Sequence, residues 1–215
     1  MSRIAIKICG LSTPETLDAA IGAGASHVGF VHFAKSPRHV EADLLAALAA
    51  RVPAHLGKVG VMVDPDDALL ERIIPAGRLD AVQLHGKETP ERVAALRARF
   101  PQTRFWKAVS VKTATDIAAA DRYRDVADLI LFDAKTPDGA HLPGGMGVRF
   151  DWKLMQGWTA TGLWGLSGGL DPDNVAEAIR ITAAPLVDIS SGVESAPGIK
   201  DVDKIAAFCK AVLQC

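Results

Sequence analysis

The feature that most constrains the fold of this chain is a regular alternation between short apolar segments and Ala- and Leu-rich segments of helical periodicity. The apolar segments have the length of strands, and the segments between them have the spacing and cap residues of helices. The predicted strands are residues 3–9, 27–33, 58–63, 80–84, 104–109, 128–132, 163–166 and 186–190. The predicted helices are residues 14–23, 41–51, 66–74, 90–99, 113–120, 151–157, 173–181 and 201–213.

Eight strand–helix pairs within 215 residues are typical of a (β/α)8 barrel. We therefore predict a single-domain α/β fold, a TIM barrel over residues 1–215. An open doubly wound sheet shares the alternation, but it usually has fewer strands and a glycine-rich fingerprint after the first one. Here the first predicted strand runs into Cys9-Gly10-Leu11-Ser12, which lacks that fingerprint.

Composition excludes several classes of function. The formal net charge is −1, and no run of like charge resembles a nucleic-acid footprint. The apolar runs are too short to span a membrane, and the start of the chain has no signal-peptide pattern. Three cysteines without an export signal predict reduced thiols in a cytoplasm. Neither metal-ligand spacings nor dinucleotide fingerprints occur in the sequence, so no metal and no cofactor is expected.

Polar residues lie at the C-terminal ends of several predicted strands, which is where a barrel of this type carries its active site. Lys7 and Cys9 are two residues apart, so strand alternation points both side chains the same way. By the same rule we expect the rim to collect Gln83, His85, Lys107, Asp133, Asp188 and Ser190. For any one of them a structural role, such as a buried thiol or a turn cap, explains the residue equally well. Their convergence on one rim favours a functional site.

Two glycine-rich turns follow the seventh and eighth predicted strands. The first contains Gly168 and Gly169, and the second contains Ser190, Ser191 and Gly192. Glycine lets backbone N–H groups approach an anion, and a following helix N-terminus adds a favourable dipole. These two turns are the recurrent phosphate site of this fold. A phosphate site beside proton-carrying side chains indicates acid–base chemistry on a sugar phosphate, as in an isomerase or a lyase.

The motifs, taken in order, resemble those of the phosphoribosylanthranilate isomerase family over essentially the whole chain. They are Lys7-Ile8-Cys9-Gly10, Gly29-Phe30-Val31 followed by Lys35-Ser36-Pro37-Arg38, Val59-Gly60-Val61-Met62, Val82-Gln83-Leu84-His85-Gly86, Asp133-Ala134, Gly144-Gly145-Met146-Gly147 with Phe150-Asp151-Trp152, Ser167-Gly168-Gly169-Leu170-Asp171-Pro172-Asp173-Asn174-Val175, and Asp188-Ile189-Ser190-Ser191-Gly192-Val193-Glu194. The resemblance implies a cofactor-free Amadori rearrangement in tryptophan biosynthesis. It would convert N-(5-phospho-β-D-ribosyl)anthranilate into 1-(2-carboxyphenylamino)-1-deoxy-D-ribulose 5-phosphate.

The resemblance also implies roles for individual residues. It places the general base on Cys9, the general acid on Asp133 and the anthranilate carboxylate on Arg38. We expect the other substrate contacts at Lys7, Gln83, His85 and Asp188, and the phosphate contacts at Gly145, Gly147, Gly168, Gly169, Ser190, Ser191 and Gly192.

Two points about the acid and the base stay open at this stage. Lys7 either favours the thiolate of Cys9 or only balances Asp188 deeper in the barrel. Asp133 must carry a proton to act as the acid, so we expect it to be desolvated or close to another carboxylate, for which Asp188 is the candidate.

Two features depart from the family pattern. Met146 stands where the family usually has Thr, and its thioether cannot donate a hydrogen bond, although the neighbouring glycines can act through their backbone. The long interruption at 134–149 is rich in Gly and Pro, and its stretch 135–143 is longer than in many relatives, so we predict a lid there. Phe208 and Val212 on the last predicted helix either form a dimer surface or pack on the barrel, which leaves a monomer or a homodimer open.

Three alternative functions fit the sequence less well. A pentose-phosphate epimerase would carry metal-ligating His and Asp on several strands, and indoleglycerol-phosphate synthase would carry Lys and Glu at its rim. Neither pattern occurs here. A catalytically dead barrel that only binds a phosphorylated metabolite is disfavoured because both acid–base candidates are present. One phosphate cradle also argues against the related histidine-pathway substrate, which carries two phosphates.

Overall fold

The computed structural model describes residues 4–136, 144–145, 147–159 and 162–215 of the chain. The departure at Met146 and the stretch 137–143 of the predicted lid lie outside the described residues. Eight parallel strands form a closed barrel in the order of the sequence, and the last strand pairs with the first. The predicted TIM-barrel fold is therefore confirmed.

Each barrel strand is short and buried on both faces, as parallel strands covered by helices are. The strands β1 to β8 are Ala5–Cys9, His27–Val31, Gly57–Met62, Ala81–Leu84, Arg104–Val111, Leu129–Ala134, Trp164–Leu166 and Leu186–Ile189. All eight lie at or near the positions that the apolar segments predict.

Several helices begin where the sequence carries cap residues. Thr13 and Thr89 each accept a hydrogen bond from a backbone N–H in the first turn of the helix that follows, and a proline occupies the first position of both helices. The helices α1 to α7 are Pro14–Gly22, Ala42–Ala49, Asp67–Gly77, Pro90–Arg99, Ala114–Ala119, Val175–Thr182 and Val202–Leu213.

Two elements differ from the prediction. The helix predicted at 151–157 is a 3-10 helix of four residues, Trp152–Met155. It ends early because Gln156 is extended and Gly157 has a φ of +88°. After β8, a short antiparallel hairpin of β9 (Glu194–Ala196) and β10 (Ile199–Lys200) precedes α7. Strands of three and two residues are too short to show a period in the sequence.

Strand alternation divides the core into two layers. Lys7 and Cys9 point into the barrel, whereas Ile6 and Ile8 belong to the layer between barrel and helices. The lower interior of the barrel is filled by Val59, Ala81, Trp106, Leu129, Leu131 and Leu186. The apolar filling supports the base of the barrel and leaves the polar side chains at its mouth.

The last helix packs against the barrel. Phe208 and Val212 are buried within the chain itself, in the layer between barrel and helices. Of the two alternatives for these residues, packing is therefore the one that the structure shows. None of the helices in the described ranges combines the length and apolar character that crossing a membrane requires.

Candidate active site

A pocket of about 840 Å³, open to solvent, lies at the C-terminal mouth of the barrel. We call it the mouth pocket. Most of the residues predicted for the site line it, namely Cys9, Arg38, Gln83, His85, Asp133, Gly145, Gly147, Gly168, Gly169, Asp188, Ser190 and Ser191. Lys7 and Gly192 do not line the pocket. The strand-end rule therefore predicted residues that the fold brings together in one pocket, and their roles remain predictions.

Lys7 lies under the floor of the mouth pocket and is fully buried. Its Nζ donates to Asp188 Oδ2 at 2.8 Å and to Gln83 Oε1 at 2.9 Å. Asp188 reaches the pocket, and within the described residues its other oxygen, Oδ1, is buried without a hydrogen-bond partner. Burial raises the pKa of Asp188 above its ordinary value although Lys7 opposes this, and the charge of Asp133 adds to the increase.

Cys9 presents a nearly buried thiol at the end of β1. Burial raises the pKa of this thiol above its ordinary value, and the opposing charge of Lys7 does not offset the effect. Gly29 on the neighbouring strand gives the sulfur its space, because a Cβ at that position would lie 2.9 Å from Cys9 Sγ. Gly29 is thus a site residue for steric reasons, within a motif that the sequence had already singled out.

Asp133 ends β6 and lies beside His85. His85 Nε2 is 3.1 Å from Asp133 Oδ2, at an angle that does not make a hydrogen bond. Asp133 Oδ1 accepts a hydrogen bond from the Ala134 backbone N–H at 3.0 Å. Gly144 and Gly168 pack against this carboxylate, because a Cβ at either position would come within 3 Å of one of its oxygens. The chain therefore encloses the acid candidate closely on two sides.

Arg38, in the loop after β2, is buried and lines the mouth pocket. Its Nε and Nη2 form a two-pronged ion pair with Glu194 at 2.6 and 2.7 Å, and Nη2 also donates to the Gly145 carbonyl at 3.0 Å. Lys200 Nζ lies 2.5 Å from Glu194 Oε1. The sequence analysis did not assign Glu194 or Lys200 to the site. Glu194 closes the last motif, but no spacing rule pairs it with an arginine 156 residues away.

The predicted phosphate turns lie on the β7–β8 side of the mouth pocket. Gly168 and Gly169 have φ values of +88° and +62°, a backbone conformation that favours glycine. Ser190 and Ser191 line the same side. Gly192 does not line the pocket, and it lets the two turns approach each other, because a Cβ there would lie only 1.9 Å from the Leu170 carbonyl oxygen.

The prediction that Lys107 points to the rim is wrong. Trp106 pairs with Gln83 in register and both face the barrel interior, so Lys107 faces the helices. Its Nζ forms a buried ion pair with Glu88 at 2.8 Å and donates to the Gly86 carbonyl at 2.9 Å. Lys107 therefore has a structural role between the barrel and the helices. Lys7 is the lysine that lies inside the barrel and contacts the site residues Asp188 and Gln83.

The chain matches known proteins over nearly its whole length. The family model for N-(5'-phosphoribosyl)anthranilate (PRA) isomerase matches residues 6–211. An N-(5'-phosphoribosyl)anthranilate isomerase of Zymomonas mobilis subsp. pomaceae is 57% identical over 206 residues, which is 96% of each chain.

Solved structures agree with this match. The phosphoribosyl anthranilate isomerase of Thermotoga maritima superposes with a TM-score of 0.88 at 34% identity, covering 99% of this chain and 100% of that one. A phosphoribosyl anthranilate isomerase in complex with reduced 1-(o-carboxyphenylamino)-1-deoxyribulose 5-phosphate gives a TM-score of 0.85 at 32% identity, with 99% and 100% covered. On sequence and fold together, the chain belongs to the N-(5'-phosphoribosyl)anthranilate isomerase family, the isomerases of tryptophan biosynthesis.

Proposed function

We propose that the chain performs the isomerisation of N-(5'-phosphoribosyl)anthranilate as an Amadori rearrangement, with Asp133 as general acid and Cys9 as general base. The observation that carries the proposal is that both groups line one pocket, from strands three places apart around the barrel. Glycine-rich turns at one side of that pocket suit the phosphate, and Arg38 suits the anthranilate carboxylate.

The chemistry requires an acid at the ring oxygen, which leaves C1, and a base at the neighbouring carbon C2. Asp133 gives its proton to the ring oxygen while the C1–O bond breaks and the amine nitrogen forms a Schiff base with C1. The thiolate of Cys9 then takes the proton from C2, and the electrons of that C–H bond form the C1–C2 double bond of an enolamine. The enolamine becomes the ketone when C1 gains a proton and the C2 hydroxyl loses one, so that the reaction has no net proton change.

Other residues of the mouth pocket serve binding in this proposal. The unpartnered Oδ1 of Asp188 is an acceptor for a ribose hydroxyl, since a buried oxygen without a partner gains most from one. Gln83 and His85 line the same pocket as Cys9 and Asp133 and serve as further polar contacts for the sugar. Lys7 holds Asp188 and Gln83 in place from below. Ser190 and Ser191 join the glycines Gly145, Gly147, Gly168 and Gly169 around the phosphate.

The test of the proposal is to separate turnover from binding. Cys9→Ala and Asp133→Ala should each lower kcat by about three orders of magnitude or more, within the range that acid–base groups contribute. Both variants should still bind the reduced product analogue with nearly unchanged affinity. Cys215→Ala is the matched control, because that thiol is exposed and does not line the mouth pocket. Near-normal turnover in either site variant would remove that residue from its role.

A second experiment tests the activity in the cell. The gene should complement a tryptophan auxotroph that lacks this isomerase, whereas the Asp133→Ala variant should not. Failure of the soluble wild-type protein to complement would contradict the proposed activity.

We also infer a cytoplasmic location and either a monomer or a homodimer. The free thiols of Cys9, Cys209 and Cys215 support a reducing compartment. Sedimentation equilibrium over a range of protein concentrations distinguishes the two assembly states.

A further inference from the structure

A row of three charged side chains lies beside the mouth pocket, and the proposed mechanism uses only the first. Arg38 bonds to Glu194, and Glu194 bonds in turn to Lys200. The side chains of the three are 6%, 5% and 1% exposed. We call them the charge row. Arg38 comes from the loop after β2, and the other two come from the β9–β10 hairpin.

The charge row leaves one part of the Arg38 guanidinium for a ligand. Glu194 occupies Nε and Nη2, so the two-pronged face that an arginine usually offers to a carboxylate is already in use. Within the described residues Nη1 makes no hydrogen bond, and it lies close enough to Gly145 that a Cβ there would be 2.7 Å away. The side-chain stem is fixed as well, since a Cβ at Gly10 would lie 2.7 Å from Arg38 Cδ.

The charges of the row decide whether this part of the pocket attracts an anion. Although burial alone would raise it, the hydrogen bond from Arg38 and the charge of Lys200 hold the pKa of Glu194 below its ordinary value. Glu194 is therefore ionised, and with Arg38 alone it would form a neutral pair. Burial lowers the pKa of Lys200 below its ordinary value although the charge of Glu194 opposes this, and in its protonated form the ammonium makes the row net positive by one charge. The setting is buried, so these charges are poorly screened.

We propose that Glu194 and Lys200 are positioning residues that determine recognition of the anthranilate carboxylate. Glu194 holds the guanidinium so that Nη1 faces the pocket, and Lys200 supplies the charge that keeps the subsite cationic. The inference rests on the proposed function, in which Arg38 meets that carboxylate. Lys200 Nζ also donates to the Ser190 carbonyl at 3.0 Å, so the charge row contacts the turn that is proposed to bind the phosphate.

The test compares two ligands that both carry a five-carbon chain with a 5-phosphate and differ chiefly in the anthranilate group, although the reduced analogue also has a hydroxyl in place of the C2 ketone. Dissociation constants are measured for the reduced product analogue and for ribulose 5-phosphate, with wild-type protein and with Lys200→Met. The ratio of the two constants isolates the anthranilate part. We expect Lys200→Met to reduce this preference about tenfold, the effect of losing a buried favourable charge. Lys210→Met, an exposed change of equal charge on α7, should leave the ratio unchanged.

Rescue tests the charge argument directly. Adding Glu194→Gln to Lys200→Met restores a net positive charge through Arg38, so the double variant should recover several-fold of the lost preference. Lys200→Arg keeps the charge and should retain the preference, which provides a readout if the Met variant does not fold. An unchanged ratio in Lys200→Met, or a double variant worse than the single, would overturn the inference.

The same measurements distinguish this inference from the proposed function. If the wild-type protein binds the reduced analogue no better than ribulose 5-phosphate, the role of Arg38 itself fails. If the wild-type preference is strong and Lys200→Met keeps it, only the inference about the charge row fails.

Discussion

The Nζ atom of Lys7 lies 2.8 Å from Oδ2 of Asp188, and both groups are buried inside the barrel. The two residues are register partners on β1 and β8, so the pairing follows from closure of the barrel. Although burial alone would lower it, the Asp188 charge raises the pKa of Lys7 above its ordinary value. Lys7 donates hydrogen bonds to Asp188 and Gln83, and its ammonium also lies close enough to the thiol of Cys9 to favour the thiolate. Lys7 therefore balances Asp188, and burial outweighs its influence on Cys9.

Breaking this buried pair should destabilise the fold strongly. Lys7→Met leaves the Asp188 carboxylate without its cation, and we expect a loss of about 3–5 kcal/mol in the free energy of unfolding, measured in urea. Lys7→Met combined with Asp188→Leu should recover much of the loss because no buried charge remains. Lys58→Met is the control, since its partner Asp80 is more than half exposed and such pairs contribute about 1 kcal/mol or less. Equal losses at Lys7 and Lys58 would contradict the assignment.

Gly168 supports the acid candidate and the phosphate turn at once. Its φ is +88°, and a Cβ there would lie 2.4 Å from the Ala134 nitrogen and 2.9 Å from Asp133 Oδ1. Gly168→Ala should therefore cost about 2 kcal/mol of stability or more and also lower kcat, because Asp133 must shift.

Gly22→Ala provides the contrast for Gly168→Ala. Gly22 ends helix α1 and has open space around it, so alanine should be neutral or stabilise by up to about 1 kcal/mol. Thermal unfolding and steady-state kinetics on both variants check the pair of expectations. If Gly168→Ala changed neither the unfolding temperature nor kcat, the close packing of the turn against Asp133 and Ala134 would be contradicted.

The sequence predicted the barrel because eight repeats of the same pattern reinforce one another. It also predicted the inward positions on β1, where apolar Ile6 and Ile8 mark the other face. On β5 that logic fails, because Trp106 and Phe105 are both large and apolar although one faces the barrel and one the helices. A strand buried on both faces carries no alternation of polarity, so the orientation of Lys107 could not be predicted.

Contacts between residues that are far apart in the chain also could not be predicted from the sequence. Glu194 and Arg38 meet only because the β9–β10 hairpin folds back beside the loop after β2. The hairpin has no periodicity of its own, and no sequence motif marks the contact of Lys200 with Glu194. The charge row is therefore a property of the fold that no local motif records.

His27 should make the protein sensitive to acid. Burial, with help from Lys7 and Arg104, lowers the pKa of His27 to about 4, from 6.5. The unfolded chain thus takes up a proton before the folded one does, so stability is complete above about pH 6.5 and falls as the pH drops toward 4. The loss amounts to about 3.5 kcal/mol at most, at about 1.4 kcal/mol for each unit of pKa.

A substitution isolates the contribution of His27 to acid stability. His27→Gln can keep the hydrogen bond to Ser26 and has no proton to gain, so its unfolding free energy should change less between pH 6.5 and 4 than that of the wild type. His55→Gln removes an exposed histidine and should leave the pH dependence unchanged. Identical curves for wild type and His27→Gln would show that another group titrates.

The raised pKa of Cys9 makes a prediction for the rate that is independent of stability. A thiol base acts only when deprotonated, and burial shifts its ionisation above the ordinary thiol value. The logarithm of kcat/KM should therefore rise with pH at a slope near one through the neutral range, and level off only above the ordinary thiol pKa. Cys9→Asp replaces the thiol with a carboxylate that ionises at much lower pH, so its slower reaction should be nearly independent of pH between about 6 and 8. A wild-type profile that is already flat at pH 7 would mean either that the pKa of Cys9 is not raised or that Cys9 is not the base. The Cys9→Asp variant distinguishes these two explanations. If it keeps both the rate and the pH profile of the wild type, the thiol is not the titrating base.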